Sequence, residues 1–122
     1  MTNEIKHISK RKGFEFAVRV VNLARHLQRE KKEFVLSKQV LRSGTSIGAN
    51  IEEARAGESR KDFKSKMSVA SKEARETLYW LRLLKETKYL EQHMADSLIR
   101  DCEELVSLLT SIVKTTTLAS KA

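Results

Sequence analysis

No proline interrupts this chain of 122 residues, and glycine occurs only four times. Proline breaks the helical hydrogen-bond ladder, and glycine supplies the positive φ angles of tight turns. Their scarcity removes the punctuation that a loop-rich or all-β fold needs. Long helices remain. Apolar residues recur with a 3.6-residue period in four blocks, which predicts helices over about 9–30, 37–56, 60–86 and 91–116. Ser37 is placed to cap the second helix. Gly57 is placed to end it, and Ser59 with Asp62 reads as a capping box opening the third. Short linkers make consecutive helices antiparallel. The expected fold is all-α: one domain over 1–122, an antiparallel up-down-up-down four-helix bundle, with the first residues and Leu118–Ala122 fraying.

The helix faces differ in width. In the fourth block Met94, Leu98, Cys102, Leu105, Leu109 and Ile112 form one stripe with a polar side opposite. The first block is apolar over an arc of roughly 220°, wider than a bundle core uses. The third carries a core side (Phe63, Met67, Ala70, Ala74, Leu78, Leu81) and a second apolar side of Val69, Trp80 and Leu83. Surplus apolar surface on a small bundle is covered by self-association, so Phe16, Val18, Val69, Trp80 and Leu83 are candidate interface residues of a homo-oligomer. The alternative is a thick core with a half-exposed Trp80.

The chain carries a net charge of +8, unevenly placed. Residues 1–42 hold 11 Lys/Arg against 4 Glu, whereas residues 73–122 hold 7 basic against 8 acidic side chains. Lys10, Arg11 and Lys12 at the start of the first helix, Arg19 and Arg29 along its polar strip, and Lys31 and Lys32 after it form a candidate nucleic-acid surface. Such residues contact phosphates of RNA or DNA without reading bases. No helix-turn-helix spacing and no exposed aromatic platform is apparent, so the expected binding is electrostatic and indifferent to sequence. The alternatives are an assembly or adaptor protein that docks an acidic protein partner, and a surface that is merely solvated.

Other chemistries find little support. No apolar run approaches the roughly 18 residues of a membrane span. A single cysteine, Cys102, forms no disulfide framework and sits on a core stripe, as a buried small hydrophobe would. A reducing, cytoplasmic setting is expected. A di-metal bundle site needs two Glu-x-x-His pairs with two further carboxylates; only Glu4–His7 has that spacing. No phosphate loop, nucleotide-binding loop or nucleophile triad is present, so neither metal, cofactor nor enzymatic activity is expected.

The second helix is unusual. Its core stripe is Val40, Gly44, Ile47, Ile51 and Ala54, yet the run Ser43–Asn50 has poor intrinsic helix propensity and needs tertiary packing to stay helical. Ser43, Ser46, Asn50 and Glu53 share one polar strip, either a tight-packing seam or a binding groove. The run from Gln39 to Ala54, with Arg42, Ser43, Ser46-Ile47 and Asn50-Ile51 followed by Glu53, resembles the signature of the bacterial four-helix-bundle proteins encoded in intervening sequences of 23S ribosomal RNA genes. The likeness continues through Ser59, Asp62-Phe63, Glu73-Ala74 and Tyr79-Trp80-Leu81, and spans about 14–112. Gly48 stands where many relatives have proline, and Ala54 where many have glycine. The resemblance implies a bundle that assembles into a ring, often a pentamer. It also implies no enzymatic activity, and a related accessory protein of diversity-generating retroelements is a basic ring that binds nucleic acid.

Overall fold

A computed structural model describes residues 3–56 and 59–121, with side chains as far as Ala119. Four helices follow one another: α1 (Asn3–Arg29), α2 (Leu36–Ala56), α3 (Arg60–Glu86) and α4 (Gln92–Lys121). Each buries one face at steps of three and four. On α4 the series Ala95, Leu98, Cys102, Leu105, Leu109 and Ile112 is at most 2% exposed. Among the described residues there is no strand, and no helix is long and apolar enough to cross a membrane.

The helices form a four-cornered antiparallel bundle. α2 packs closely on α1 and on α3, and α3 packs on α4, while α4 closes back on α1 only lightly. Small residues explain the close α1–α2 pairing. A Cβ on Gly44 would lie 2.7 Å from Val20 Cγ1, and one on Gly48 would lie 3.1 Å from the Gly13 carbonyl oxygen. The loose α1–α4 seam is bridged by charge instead. Lys12 pairs with Glu104, and Arg19 reaches Asp101 at 2.5 Å and the Ser97 hydroxyl at 3.1 Å.

Local details differ from the sequence expectation. α1 begins at Asn3, before the expected Ser9, because that first turn is anchored. Ser9 is fully buried with its hydroxyl donating to the Lys6 carbonyl at 2.8 Å, and the Lys6 ammonium sits 5.0 Å from the Phe63 ring centroid. α4 continues through Leu118 to Lys121 where fraying was expected. Ser37 is not the cap of α2. The Glu33 carboxylate takes that role, accepting the backbone N–H groups of Val35, Leu36 and Ser37 at 3.2, 2.9 and 2.7 Å. Ser59 does cap α3, accepting from the Asp62 N–H at 3.1 Å. Gly57 lies outside the described residues. The α1–α2 and α3–α4 turns each use a lysine in the left-handed region, Lys32 (φ 53°) and Lys88 (φ 64°), where glycine is the usual residue.

Candidate functional site

The residues of the second-helix strip come together on the seam with α3. The Ser43 and Thr77 hydroxyls, both fully buried, meet at 2.8 Å. Arg42 reaches Glu73 at 3.2 Å and also pairs with Glu76, which in turn accepts from Trp80 Nε1 at 3.0 Å. Glu53 pairs with Lys66 at 2.8 Å. Asn50 donates to the Ser46 carbonyl and hydroxyl one turn back, at 2.8 and 3.0 Å, and Ile47 and Ile51 are fully buried. Each of these side chains is engaged in packing or in a bond across or along the seam.

The basic residues of α1 separate into two groups. Lys10 faces Glu52 at 3.4 Å, Arg11 faces Glu15 at 3.8 Å, and Lys12 and Arg19 are held by Glu104 and Asp101. These four lie in the field of a carboxylate, which weakens their attraction for an incoming phosphate. Arg29, Lys31 and Lys32 are exposed and make no ion pair among the described residues. Lys31 nevertheless shares a surface hollow with Lys85, Lys88, Glu86 and Glu91, a region of mixed sign.

The candidate interface residues also separate. Phe16 is 2% exposed and belongs to the core of the bundle itself, which corrects its placement among the interface residues; the buried stripe of α1 runs through Gly13, Phe16 and Val20. Val18 and Val69 are exposed, at 47% and 39%, while Trp80 and Leu83 are half-buried. α1 and α3 make no direct backbone approach and stand diagonally across the bundle. Val18 and the Val69–Trp80–Leu83 surface are therefore two separate faces. Cys102 is buried with its Sγ 3.3 Å from the Ala74 carbonyl oxygen, and burial, with a smaller contribution from Glu103, pushes its pKa up to about 12. No group of three or more metal-ligating side chains is found among the described residues.

Comparison with known proteins places this bundle. The family model described as 23S rRNA-intervening sequence protein matches residues 6–111. The chain belongs to that family. A crystal structure of a protein of unknown function from the S23 ribosomal protein family of Bacteroides thetaiotaomicron is similar at 53% identity and a TM-score of 0.88. The match covers 90% of this chain and 98% of that one. A search of curated proteins found no match.

In this member of the 23S rRNA-intervening sequence protein family, a further cationic surface lies on α3, and of its cations only Arg82 pairs with a carboxylate among the described residues, Glu103 at 3.6 Å. Lys61, Lys64, Lys72, Arg75 and Arg82 follow one another at helical spacing along the side turned toward α4, over about 32 Å. Tyr79, 59% exposed, lies within the same row. Segment totals hide this row because it straddles residue 73: Lys61, Lys64 and Lys72 lie before it, and from there on Glu73 and Glu76, which face the opposite seam, offset Arg75 and Arg82. The signal was present in the spacing of the basic residues, read as a helix face.

Proposed function

We propose that this protein is a non-enzymatic nucleic-acid-binding bundle of the cytoplasm, working as a homo-oligomeric ring. It holds phosphates through exposed cations and has little sequence preference. The observation that supports this most directly is the set of exposed basic side chains without a carboxylate partner among the described residues: Arg29, Lys31 and Lys32 at one end, and Lys72 and Arg75 on α3. Such cations release counterions from a nucleic-acid backbone on contact, so the logarithm of affinity falls linearly with the logarithm of salt concentration. The ring reading is supported by the two separate apolar faces, since head-to-tail contacts that close a ring need two different patches on each subunit. A ring would repeat the cationic surface and raise overall affinity by avidity.

The test is fluorescence anisotropy with labelled RNA and DNA over a KCl series. Binding at low salt that weakens steeply as salt rises supports the proposal; no binding, or binding flat with salt, overturns it. Docking of an acidic protein is the rival reading. It draws support from Phe34 and Val35, 51% and 71% exposed beside Lys31 and Lys32, an apolar surface that phosphate contacts do not use. Charge reversal at Lys31 and Lys32 that removes a protein partner but leaves RNA retention unchanged would favour the rival.

A further inference from the structure

The seam between α3 and α4 opens on the outside into a cleft of about 400 Å³. Its polar lining is Ser68, Ser71, Lys72, Arg75, Thr110 and Lys114: three hydroxyls, three cations and no carboxylate. Arg75 Nη2 donates to Thr110 Oγ1 at 3.1 Å, which fixes the guanidinium at the rim. Lys72 and Lys114 are exposed and make no ion pair among the described residues. Ser71 is the telling residue. It is only 7% exposed, yet its hydroxyl bonds to no other group among the described residues, and its oxygen keeps a face open to the cleft. A helical serine commonly turns such a hydroxyl back onto its own helix, as Thr77 does onto the Glu73 carbonyl at 2.8 Å. An almost buried, unused donor beside three converging cations is suited to an anionic oxygen ligand.

The nearby acids do not spoil this field. Glu73 and Glu76 are engaged with Arg42 on the far seam, and Glu103 is held by Arg82 at 3.6 Å. One turn beyond Arg75, about 6 Å along the axis, Tyr79 presents an exposed ring. Trp80 holds that ring in an edge-on contact with centroids 5.1 Å apart. An exposed aromatic ring set into a cationic row is the arrangement that binds single strands, because a stacked base must leave its duplex partner.

We infer that the α3–α4 cleft seats a backbone phosphate of a single-stranded nucleic acid, with a base of the same strand stacked on Tyr79. This rests on the nucleic-acid reading above and assigns it a site outside the basic residues of α1. The donors are the Lys72 and Lys114 ammonium groups, the Arg75 guanidinium and the Ser71 hydroxyl. The row from Lys61 to Arg82 carries the strand on either side.

The test compares anisotropy titrations of the full chain with a fluorescein-labelled single-stranded RNA and with a duplex of the same sequence, over a KCl series. The triple variant Lys72→Gln, Arg75→Gln, Lys114→Gln should bind the single strand about tenfold or more weakly, with a salt slope shallower by about 0.7, the contribution of the one phosphate seated in the cleft. Tyr79→Ala should lose about tenfold, whereas Tyr79→Phe should bind as the wild type does. All are surface changes, and circular dichroism confirms that each variant folds. Wild-type protein that binds no RNA overturns the functional reading itself. Wild-type binding that the triple variant and Tyr79→Ala retain in full, with the same slope, overturns this site alone. A duplex bound as tightly as the single strand overturns the stacking on Tyr79. Inorganic phosphate that displaces the strand at an equal concentration of phosphate groups overturns the assignment to a nucleic-acid backbone.

Discussion

The Glu33 carboxylate accepts the backbone N–H of Ser37 at 2.7 Å, and the Ser37 hydroxyl donates back to the Glu33 carbonyl at 2.9 Å. Gln28 from the end of α1 donates to that hydroxyl at 3.2 Å, so the exit of one helix and the entry of the next are tied through a single serine. Burial alone would raise the Glu33 pKa, but the N–H groups of Leu36, Ser37 and Val35 outweigh it and hold the carboxyl below its ordinary value. A depressed carboxyl pKa contributes stability above the unfolded-state value and loses it as pH falls through the folded-state value. Glu33→Gln should therefore cost about 1–2 kcal/mol at neutral pH, the scale of a lost helix cap. The gap between variant and wild type in urea denaturation should close as pH drops below about 4.

Gly44 is pressed against Val20. A Cβ there would meet Val20 Cγ1 at 2.7 Å, and Val20 is fully buried and branched at Cβ, so it has little room to turn. Gly44→Ala gains roughly 1 kcal/mol of helix propensity. Overpacking at such a contact costs about 1–3 kcal/mol. A net loss of about 1 kcal/mol is expected, measured by thermal or urea denaturation. Adding Val20→Ala should relieve the clash, so the double variant should be more stable than the sum of the two single changes predicts.

Lys88 occupies the left-handed region at φ 64°, where a side chain is strained and glycine is not. Its turn is otherwise complete, with the Tyr89 N–H on the Leu84 carbonyl at 3.0 Å. Lys88→Gly should raise the melting temperature, a gain of about 0.5–1 kcal/mol after the greater chain entropy of glycine is subtracted.

Cys102 should be inert in the folded protein. With its pKa pushed up to about 12 and its sulfur fully buried, almost no thiolate is available. Iodoacetamide at about pH 8, near the ordinary thiol pKa, should label it only on unfolding. The labelling rate should rise in step with the unfolded fraction across a urea series. Rapid labelling in native buffer would contradict the buried placement.

The two apolar faces make a prediction about assembly. If they join head to tail, Val18→Glu disables one face and Leu83→Glu the other, and each single variant should give monomers by light scattering. Mixed together, the two variants should form dimers, because each retains the face that the other lacks. Assemblies of wild-type size from either single variant would overturn the head-to-tail reading.

The four helices and their antiparallel order were legible in the apolar period, because that signal is local and repeats every turn. Ser59 was legible for the same reason, since a cap acts over three residues. Glu33 was not. A glutamate is an uncommon cap, and its role depends on how the chain bends back at Lys32. Phe16 was assigned outward because an apolar arc that wide does not reveal which part of it faces the neighbours. The basic surface was the least legible feature. Lys12 and Glu104 are 92 residues apart in the chain, and only folding brings them into contact.

The sequence by itself determined the elements: a proline-free chain with a 3.6-residue apolar rhythm forms long helices, and short connections leave them antiparallel. The tertiary structure decided which charges meet. Opposite charges attract over only a few ångströms in water, so a net charge of +8 says little until the partners are known. Packing assigned carboxylates to Lys10, Arg11, Lys12 and Arg19 and turned Glu73 and Glu76 toward Arg42. The α3–α4 cleft was left without any carboxylate in its lining.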